Sequence, residues 1–229
     1  MSEWWTYRLS SFVLFSPRTY LRLIERYNDD VWPLQLVAMA AGVAIVLLVR
    51  SQRSWPSRAI PLALASMWLF VAWAFHVRRY ATINWAAQYF AIAFVAEALL
   101  LAWTGTVRGR LRFGAGAALQ QRAGYVIVAG ALAGVPLTEW LAGRDWRQLE
   151  WFGVTPDATV IGTLGILLLA RDRPPWALLV VPLLWCAVNG AFLWTLGLRD
   201  ALALPLTALL VLATRLAPPS SRSPRPSAR

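Results

Sequence analysis

The chain has 229 residues, of which 59% are hydrophobic and only 14% are charged, and it contains fourteen tryptophans. This balance excludes an ordinary soluble domain and predicts an integral membrane protein. The formal net charge is +11, and every basic residue is an arginine. Because the chain has no lysine, it cannot be a retinal protein that uses a lysine Schiff base.

The N-terminal residues 1–30 predict an amphipathic helix that lies along a membrane surface. Ser16 and Pro17 suit the N-cap and the first helical position. Apolar side chains then recur at helical spacing, with Arg18, Arg22 and Arg26 on the opposite face. This helix is either an anchor that covers the bundle or a docking or gating element. The first thirty residues lack the pattern of a cleavable signal peptide.

Residues 31–216 predict an all-α, polytopic membrane helix bundle. A spanning helix needs about 20 apolar residues, because its backbone groups find no water in the bilayer. The fifth stretch has only thirteen residues, and it falls short of the hydrocarbon thickness unless the preceding Thr155-Pro156-Asp157 forms its first turn. The seven predicted transmembrane helices are 31–49, 59–75, 85–104, 123–141, 158–170, 176–196 and 201–216. Residues 217–229 predict a disordered, basic tail rich in proline and serine.

Seven spans divide the charged residues between two faces. One face holds thirteen arginines and a single acid, Asp172, whereas the other holds nine arginines and nine acids. The positive-inside tendency therefore predicts a bacterial inner-membrane protein with its N-terminus outside and its C-terminus in the cytoplasm. The arginine-rich face predicts contact with anionic lipid head groups rather than with nucleic acid, since no basic stripe lies on a soluble fold.

An internal similarity favours a parallel repeat. When the chain is shifted by 121 residues, eight of 29 positions match, including Arg50 with Arg171 and Trp73 with Trp194. Spans 1–3 and 5–7 would then be parallel copies joined by span 4, an arrangement that also occurs in SWEET sugar transporters. The alternative is that both segments share the tryptophan and proline preferences of a helix start at the membrane edge.

Glu97 stands near the middle of the third span, in FVAEALL. A charge at mid-bilayer costs about 2.5–3.5 kcal/mol, so this carboxyl group is either neutral or faces a water-filled cavity. Glu97 is therefore a candidate for contact with a solute or a proton. The alternative is a protonated side chain that is hydrogen-bonded to a neighbouring helix.

The stretch FHVRRYATINW, residues 75–85, connects spans 2 and 3 and contains three further candidates for solute binding, His76, Arg79 and Asn84. They could form an anion-binding mouth. The alternative is an ordinary turn, in which Asn84 caps the third span.

Pro182 and, seven residues later, Asn189-Gly190 interrupt the apolar sixth span in the run PLLWCAVNG. A broken helix would expose backbone groups to a solute, and Asn189 is then a binding residue. The alternative is close helix packing, which Gly162, Gly165, Gly130 and Gly134 also favour.

The chain resembles a bacterial family of uncharacterised multi-span inner-membrane proteins, a domain of unknown function. The stretches that carry this resemblance are EWWTYRLSSFVLFSPRTYLRLIERYN, INWAAQYF, FGVTPDATVIGTLGILLLA and PLLWCAVNGAFL, and it covers nearly the whole chain. The resemblance implies a membrane location and a multi-span architecture. It implies no catalytic residues.

Two functions remain open. A small-solute transporter or permease is favoured by the repeat, by Glu97 and by the interrupted sixth span; such a protein should enclose a polar cavity around Glu97. A non-catalytic membrane subunit that anchors or assembles partners, or forms a homo-oligomer, is the alternative and should have a filled core. An enzyme is not expected, because no acid-base, metal or nucleotide motif is present. With one cysteine and one histidine, the chain predicts no metal site and no cofactor.

Overall fold

The computed structural model describes residues 15–51 and 54–217, and in this part of the chain all regular elements are helices. The proposed tail and the first fourteen residues therefore lie outside the described residues, apart from Ala217. The helices are α1 (Pro17–Val31), α2 (Leu34–Val49), α3 (Pro56–Phe70), α4 (Ala87–Leu101), α5 (Ala118–Ala129), α6 (Val135–Leu141), α7 (Pro156–Leu168), α8 (Ala177–Thr195) and α9 (Ala203–Leu216). Three π-helical segments extend them: Val71–Val77 after α3, Ala102–Val107 after α4, and Gly130–Gly134, which joins α5 to α6.

The all-helical prediction is confirmed for the described residues, and each of the seven predicted spans corresponds to a helix or a pair of joined helices. Four continuous helical segments are long and apolar enough to cross a membrane, namely 56–82, 87–107, 118–141 and 177–195. Helices α1 and α2 meet at 85° and together could supply a fifth. Helices α7 and α9 are apolar but shorter, so a count of seven spans stays a prediction, as does the repeat.

Helix α7 lies at the centre of the bundle, and all thirteen of its residues are buried. A helix that is apolar on every side requires an apolar environment, and here α5, α8 and α9 supply much of it. A Cβ atom added at Gly165 would lie 2.7 Å from Val128 Cγ2, and one added at Gly162 would lie 2.4 Å from Phe152. The packing interpretation is therefore confirmed for these two glycines. It is wrong for Gly130 and Gly134, where an added Cβ would meet nothing within 4 Å.

The outer surface of the bundle is apolar. Large side chains on α2, α4, α8 and α9 are exposed, including Leu47 (64%), Ile92 (67%) and Trp194 (66%). Exposed tryptophans stand near both ends of the helices: Trp32, Trp85, Trp140 and Trp146 at one end, and Trp55, Trp103 and Trp176 at the other. Two aromatic belts around an apolar band are typical of a bundle that is surrounded by lipid.

The connections fall into two groups at opposite ends of the bundle. At the arginine end, defined by residues 50–51, 54–56, 108–117 and 169–176, the Arg171 amide donates to the Arg112 carbonyl at 2.7 Å. An isolated β-bridge joins Phe113 to Ala170 there. At the carboxylate end, defined by residues 78–86 and 142–156, Tyr27 donates from its hydroxyl to the Val154 carbonyl at 2.7 Å. Among the described residues, the connections assigned to the two predicted faces thus form two separate groups, and the full division of charge stays a prediction.

Helix α1 has the predicted amphipathic pattern, and its apolar face packs on the carboxylate end of the bundle. Tyr20, Ile24 and Tyr27 are buried, and the Ser16 hydroxyl accepts from the Thr19 amide as the predicted N-cap. The Asn28 side chain donates to the Arg147 and Leu149 carbonyls at 2.7 and 2.9 Å. These contacts favour the anchor interpretation of α1.

Candidate carboxylate site

The segment before α7 is irregular and nevertheless buried. Residues 152–155 are all buried, although a backbone without helical hydrogen bonds is tolerated inside a membrane bundle only where other groups bond it. Thr155 supplies one such partner, because its hydroxyl accepts from the Trp151 amide at 2.8 Å. Thr159 supplies another, since its hydroxyl accepts from the Gly153 amide at 2.9 Å. These bonds hold the first turn of α7 inside the bundle.

Asp157 in that first turn links α7 to α8. Its Oδ1 accepts from the indole Nε1 of Trp185 at 2.7 Å, and the Asn189 amide nitrogen donates to both carboxylate oxygens at 2.7 and 2.9 Å. The side chain is 5% exposed. Hydrogen bonds to a carboxylate that is shielded from water are among the strong ones in proteins.

Two further carboxylates surround the same turn. Glu139 of α6 forms a buried ion pair with Arg144 at 2.7 Å, and its other oxygen accepts from the Glu150 amide at 2.7 Å. Glu150 accepts from the Asp157 amide at 3.1 Å and from the Tyr20 hydroxyl at 3.3 Å. Glu150 thereby places a negative charge at the N-terminus of α7, where the helix dipole favours one.

Tyr20 is a hydrogen-bond donor in this arrangement. Burial, followed by the charges of Glu150 and Asp157, raises the pKa of Tyr20 well above its usual range. Its hydroxyl therefore stays protonated at neutral pH and stabilises the Glu150 carboxylate by donating to it.

We define the carboxylate cluster as Glu139, Arg144, Glu150 and Asp157 with the donors Tyr20, Trp185 and Asn189. The three carboxylates and the Arg144 guanidinium are linked through the ion pair of Glu139 and the backbone amides of Glu150 and Asp157. The chemistry that this arrangement can perform is to gain and lose a proton.

A small cavity borders Glu139 and Asp157. Its other lining residues include Thr138, Ile161 and Leu193. Its volume of about 10 Å³ is room for about one water molecule. In this conformation the cavity can hold a water molecule that passes on a proton, and it is too small for a larger solute.

The residues proposed for solute binding are not brought together. Asn189 belongs to the carboxylate cluster, and it does so on a continuous helix, because α8 is unbroken from Ala177 to Thr195. The prediction of an interrupted sixth span is therefore wrong. Gly190 packs instead against Pro205, where an added Cβ would lie 3.1 Å from the ring.

His76 lies inside the bundle and not in the connection where the sequence analysis put it. The helix continues past Phe75 as a π-helical segment, and the imidazole is fully buried with its centroid 4.6 Å from the Phe94 ring and 5.2 Å from Trp185. Neither ring nitrogen has a hydrogen-bond partner among the residues that the structure describes. The imidazole therefore packs as an aromatic ring.

Glu97 is fully buried on α4, one helical turn after Phe94. Neither of its carboxyl oxygens has a hydrogen-bond partner within residues 15–51 and 54–217. Glu97 lines neither the cavity at Asp157 nor the larger cleft at the arginine end. The expected hydrogen bond to a neighbouring helix is therefore not observed in that part of the chain.

Arg79 and Asn84 lie in the connection between α3 and α4. Arg79 forms an ion pair with Asp30 at the end of α1. The Asn84 side chain accepts from the Ala86 amide at 2.9 Å, just before α4 begins at Ala87. Both residues hold the connection in place, as the turn interpretation expects. The predicted capping role of Asn84 is wrong, because the N-cap of α4 is Ala86 and no side chain caps that helix.

The sequence analysis missed most of the carboxylate cluster. Its charged members lie where polar residues are ordinary in a membrane protein: Glu139 at the end of one span, Arg144 and Glu150 in a polar connection, and Asp157 at the start of the next span. In the sequence each therefore resembles a surface residue. The available signal was the short fifth span with Asp157 in its first turn, because a short buried helix must begin below the membrane surface. Among the described residues, no group of His, Cys, Asp and Glu has the geometry to hold a metal ion.

The family model of DUF6064, described as a family of unknown function, matches residues 18–221. The resemblance to a domain of unknown function is thus confirmed. No curated protein and no solved structure matches the chain.

Proposed function

We propose, for a chain that belongs to the DUF6064 family of unknown function, that it is a small-solute transporter coupled to protonation of the carboxylate cluster. The observation that carries the proposal is Asp157, a buried carboxylate at the start of a short central helix, bonded to Asn189 and beside a cavity shared with Glu139. Carboxylates inside membrane bundles commonly relay protons in transporters.

Protonation gives a physical route to movement between α7 and α8. The ionised Asp157 accepts three hydrogen bonds from Trp185 and Asn189. When Asp157 takes up a proton, its bonds to these donors weaken, because a charged acceptor binds a donor about twice as strongly as a neutral one. The contact between the two helices is then loosened, and the one-water cavity beside it can widen.

We further propose the bacterial inner membrane as the location, with the N-terminus outside and the C-terminus in the cytoplasm. The support is the apolar helices long enough to cross a membrane, together with the thirteen arginines against one acid on one predicted face.

The test uses purified protein in liposomes on a solid-supported electrode, which records charge movement when a solute is added. The solutes are presented in three classes: small cations, neutral polar molecules and small anions, each with and without an imposed pH gradient. At least one class should give a current that depends on the pH gradient. Asp157→Asn, which keeps the shape and removes the charge, should reduce that current at least tenfold.

Asp172→Asn is the matched control, because it removes an exposed carboxylate at the opposite end of the bundle. It should leave the current unchanged. If no class gives a current with the native chain, or if Asp157→Asn conducts as well as Asp172→Asn, the transporter proposal is wrong.

A second candidate is a non-catalytic membrane subunit that anchors or assembles a partner. The observation in its favour is the packed interior around Glu97, which has no exposed surface, together with the apolar outer surface of the bundle. This candidate predicts no current from any solute class. It also predicts that the chain depends on its partner for stability, so that deletion of the partner gene lowers the amount of this protein in the membrane.

A further inference from the structure

A cleft of about 480 Å³ lies at the arginine end of the bundle. Its size is typical of pockets that hold small molecules. Four chain segments converge on it, namely the end of α2, the start of α3, the connection 108–117 and the residues after α7. Its polar side chains are those of three arginines and three serines: Arg58, Arg112, Arg171, Ser51, Ser54 and Ser57.

We propose that this arginine–serine cleft binds a phosphate group, either on an anionic lipid head group or as a soluble phosphate. No carboxylate is among the described residues that line the cleft. Three guanidinium groups that share a cleft repel one another, and an anion removes that repulsion. Guanidinium groups bind phosphate through paired hydrogen bonds, and serine hydroxyls add single donors.

The arginines of the cleft differ from others at the same end. Arg50, Arg108 and Arg215 each lie over an aromatic ring, at 4.9–5.3 Å from its centroid. In the described part of the chain, none of the three cleft arginines has such a ring contact or an ion pair. Their charges therefore remain available for a ligand.

Protein hydrogen bonds hold the backbone around the cleft in place. The Arg171 amide donates to the Arg112 carbonyl at 2.7 Å, beside the bridge between Phe113 and Ala170. The Thr106 hydroxyl donates to the Arg58 carbonyl at 3.0 Å. A preorganised site binds its ligand at a lower entropic cost than a mobile one.

Ser57 shows how a hydroxyl of the cleft can serve a ligand. Its oxygen accepts from the Phe113 amide at 3.3 Å, so its own hydrogen can be donated to an anion. Ser57 also lies in the first turn of α3, where the positive end of the helix dipole favours negative charge. Trp55 in the adjacent belt puts the cleft near the level of lipid head groups.

The site does not depend on the proposed transport activity. Purified protein is tested with two probes, the first in a neutral detergent and the second in lipid nanodiscs. The first is sodium phosphate, compared with sodium chloride at equal ionic strength and followed by the melting temperature. The second is phosphatidic acid in lipid nanodiscs, compared with phosphatidylcholine and followed by native mass spectrometry.

The cleft variant is Arg112→Gln with Arg171→Gln, and the matched control is Arg110→Gln with Arg122→Gln. The control removes the same charge from exposed positions at the same end that do not line the cleft. The native chain and the control should bind at least one phosphate probe, and the cleft variant should bind it at least tenfold more weakly. Arg58→Gln should also weaken binding of the phosphate probe. This variant replaces the double variant in the test if the double variant does not fold.

The two probes distinguish the sources of the phosphate. Binding of phosphatidic acid alone identifies a lipid head group, and binding of inorganic phosphate identifies a soluble ion. The proposal is overturned if neither probe binds the native chain, or if the cleft variant binds as tightly as the control.

Discussion

Arg144 and Arg147 stand three residues apart, yet their ion pairs differ in burial. The side chains of Arg144 and Glu139 are 6% and 1% exposed, whereas those of Arg147 and Asp29 are 48% and 45% exposed. Water screens the second pair and not the first. The same type of substitution should therefore have very different effects at these two positions.

Arg144→Met should lower the free energy of unfolding by about 3–5 kcal/mol, because it removes one partner of a buried ion pair. Arg147→Met should lower it by at most about 1 kcal/mol, because exposed ion pairs contribute little. Thermal unfolding in detergent measures both. Equal losses in the two variants would show that Glu139 finds another cation or is already neutral.

Substitution of Glu97 should raise the stability of the protein rather than lower it. Burial of a polar group without a hydrogen bond costs about 1–3 kcal/mol in proteins, and neither carboxyl oxygen of Glu97 has a partner among the described residues. Glu97→Met keeps a similar volume and should raise the melting temperature. Asn189→Leu, which removes the bonds to Asp157, is the contrasting variant and should lower it. A loss of stability in Glu97→Met would instead mean that the carboxyl group is hydrogen-bonded.

At the scale of the helices, the contact between α5 and α7 depends on small residues. An added Cβ at Gly165 would lie 2.8 Å from the Val128 backbone nitrogen, and one at Gly124 would lie 2.9 Å from the Gly165 carbonyl oxygen. In a membrane, helices associate through such close packing, since lipid is as apolar as their side chains. The position of α7 is therefore decided by glycines.

Gly165→Ala should separate α5 from α7 and lower the free energy of unfolding by about 1–3 kcal/mol, the usual effect of overpacking. Gly130→Ala is the matched control. Its added methyl group meets open space, and alanine is favoured over glycine in a helix by about 1 kcal/mol, so this variant should be as stable as the native chain or more so. A tolerated Gly165→Ala would contradict the packing of α7 against α5.

The helices could be located from sequence because their apolar length is a local property. The residues at which the helices end were less predictable. The apolar run of the second span stops at Phe75, but the helix continues to Val77, because the His76 ring can pack between Phe94 and Trp185. No local pattern near His76 contains that information, which depends on two other helices.

The carboxylate cluster could not be predicted for the same reason. Asp157 lies 28 and 32 residues from its partners Trp185 and Asn189, and Tyr20 lies 130 residues from Glu150. Periodicity shows which face of a helix is apolar but not which helix it meets. Asn189 was identified because it is polar inside an apolar run, whereas Asp157 and Glu150 lie where polar residues are ordinary.

At the scale of the whole molecule, the arginines predict the orientation of the bundle. Cys186 is the single cysteine and is buried, so Cys186→Ala provides a background for engineered cysteines. Arg18→Cys and Ala142→Cys probe the carboxylate end, and Ala115→Cys and Ala217→Cys probe the arginine end. Arginine-rich connections stay in the cytoplasm, so an impermeant maleimide should label the first two in intact cells and the second two only after permeabilisation. The opposite pattern would reverse the proposed orientation. Labelling of Arg18→Cys and Ala217→Cys from the same side would mean an even number of spans, and would exclude seven.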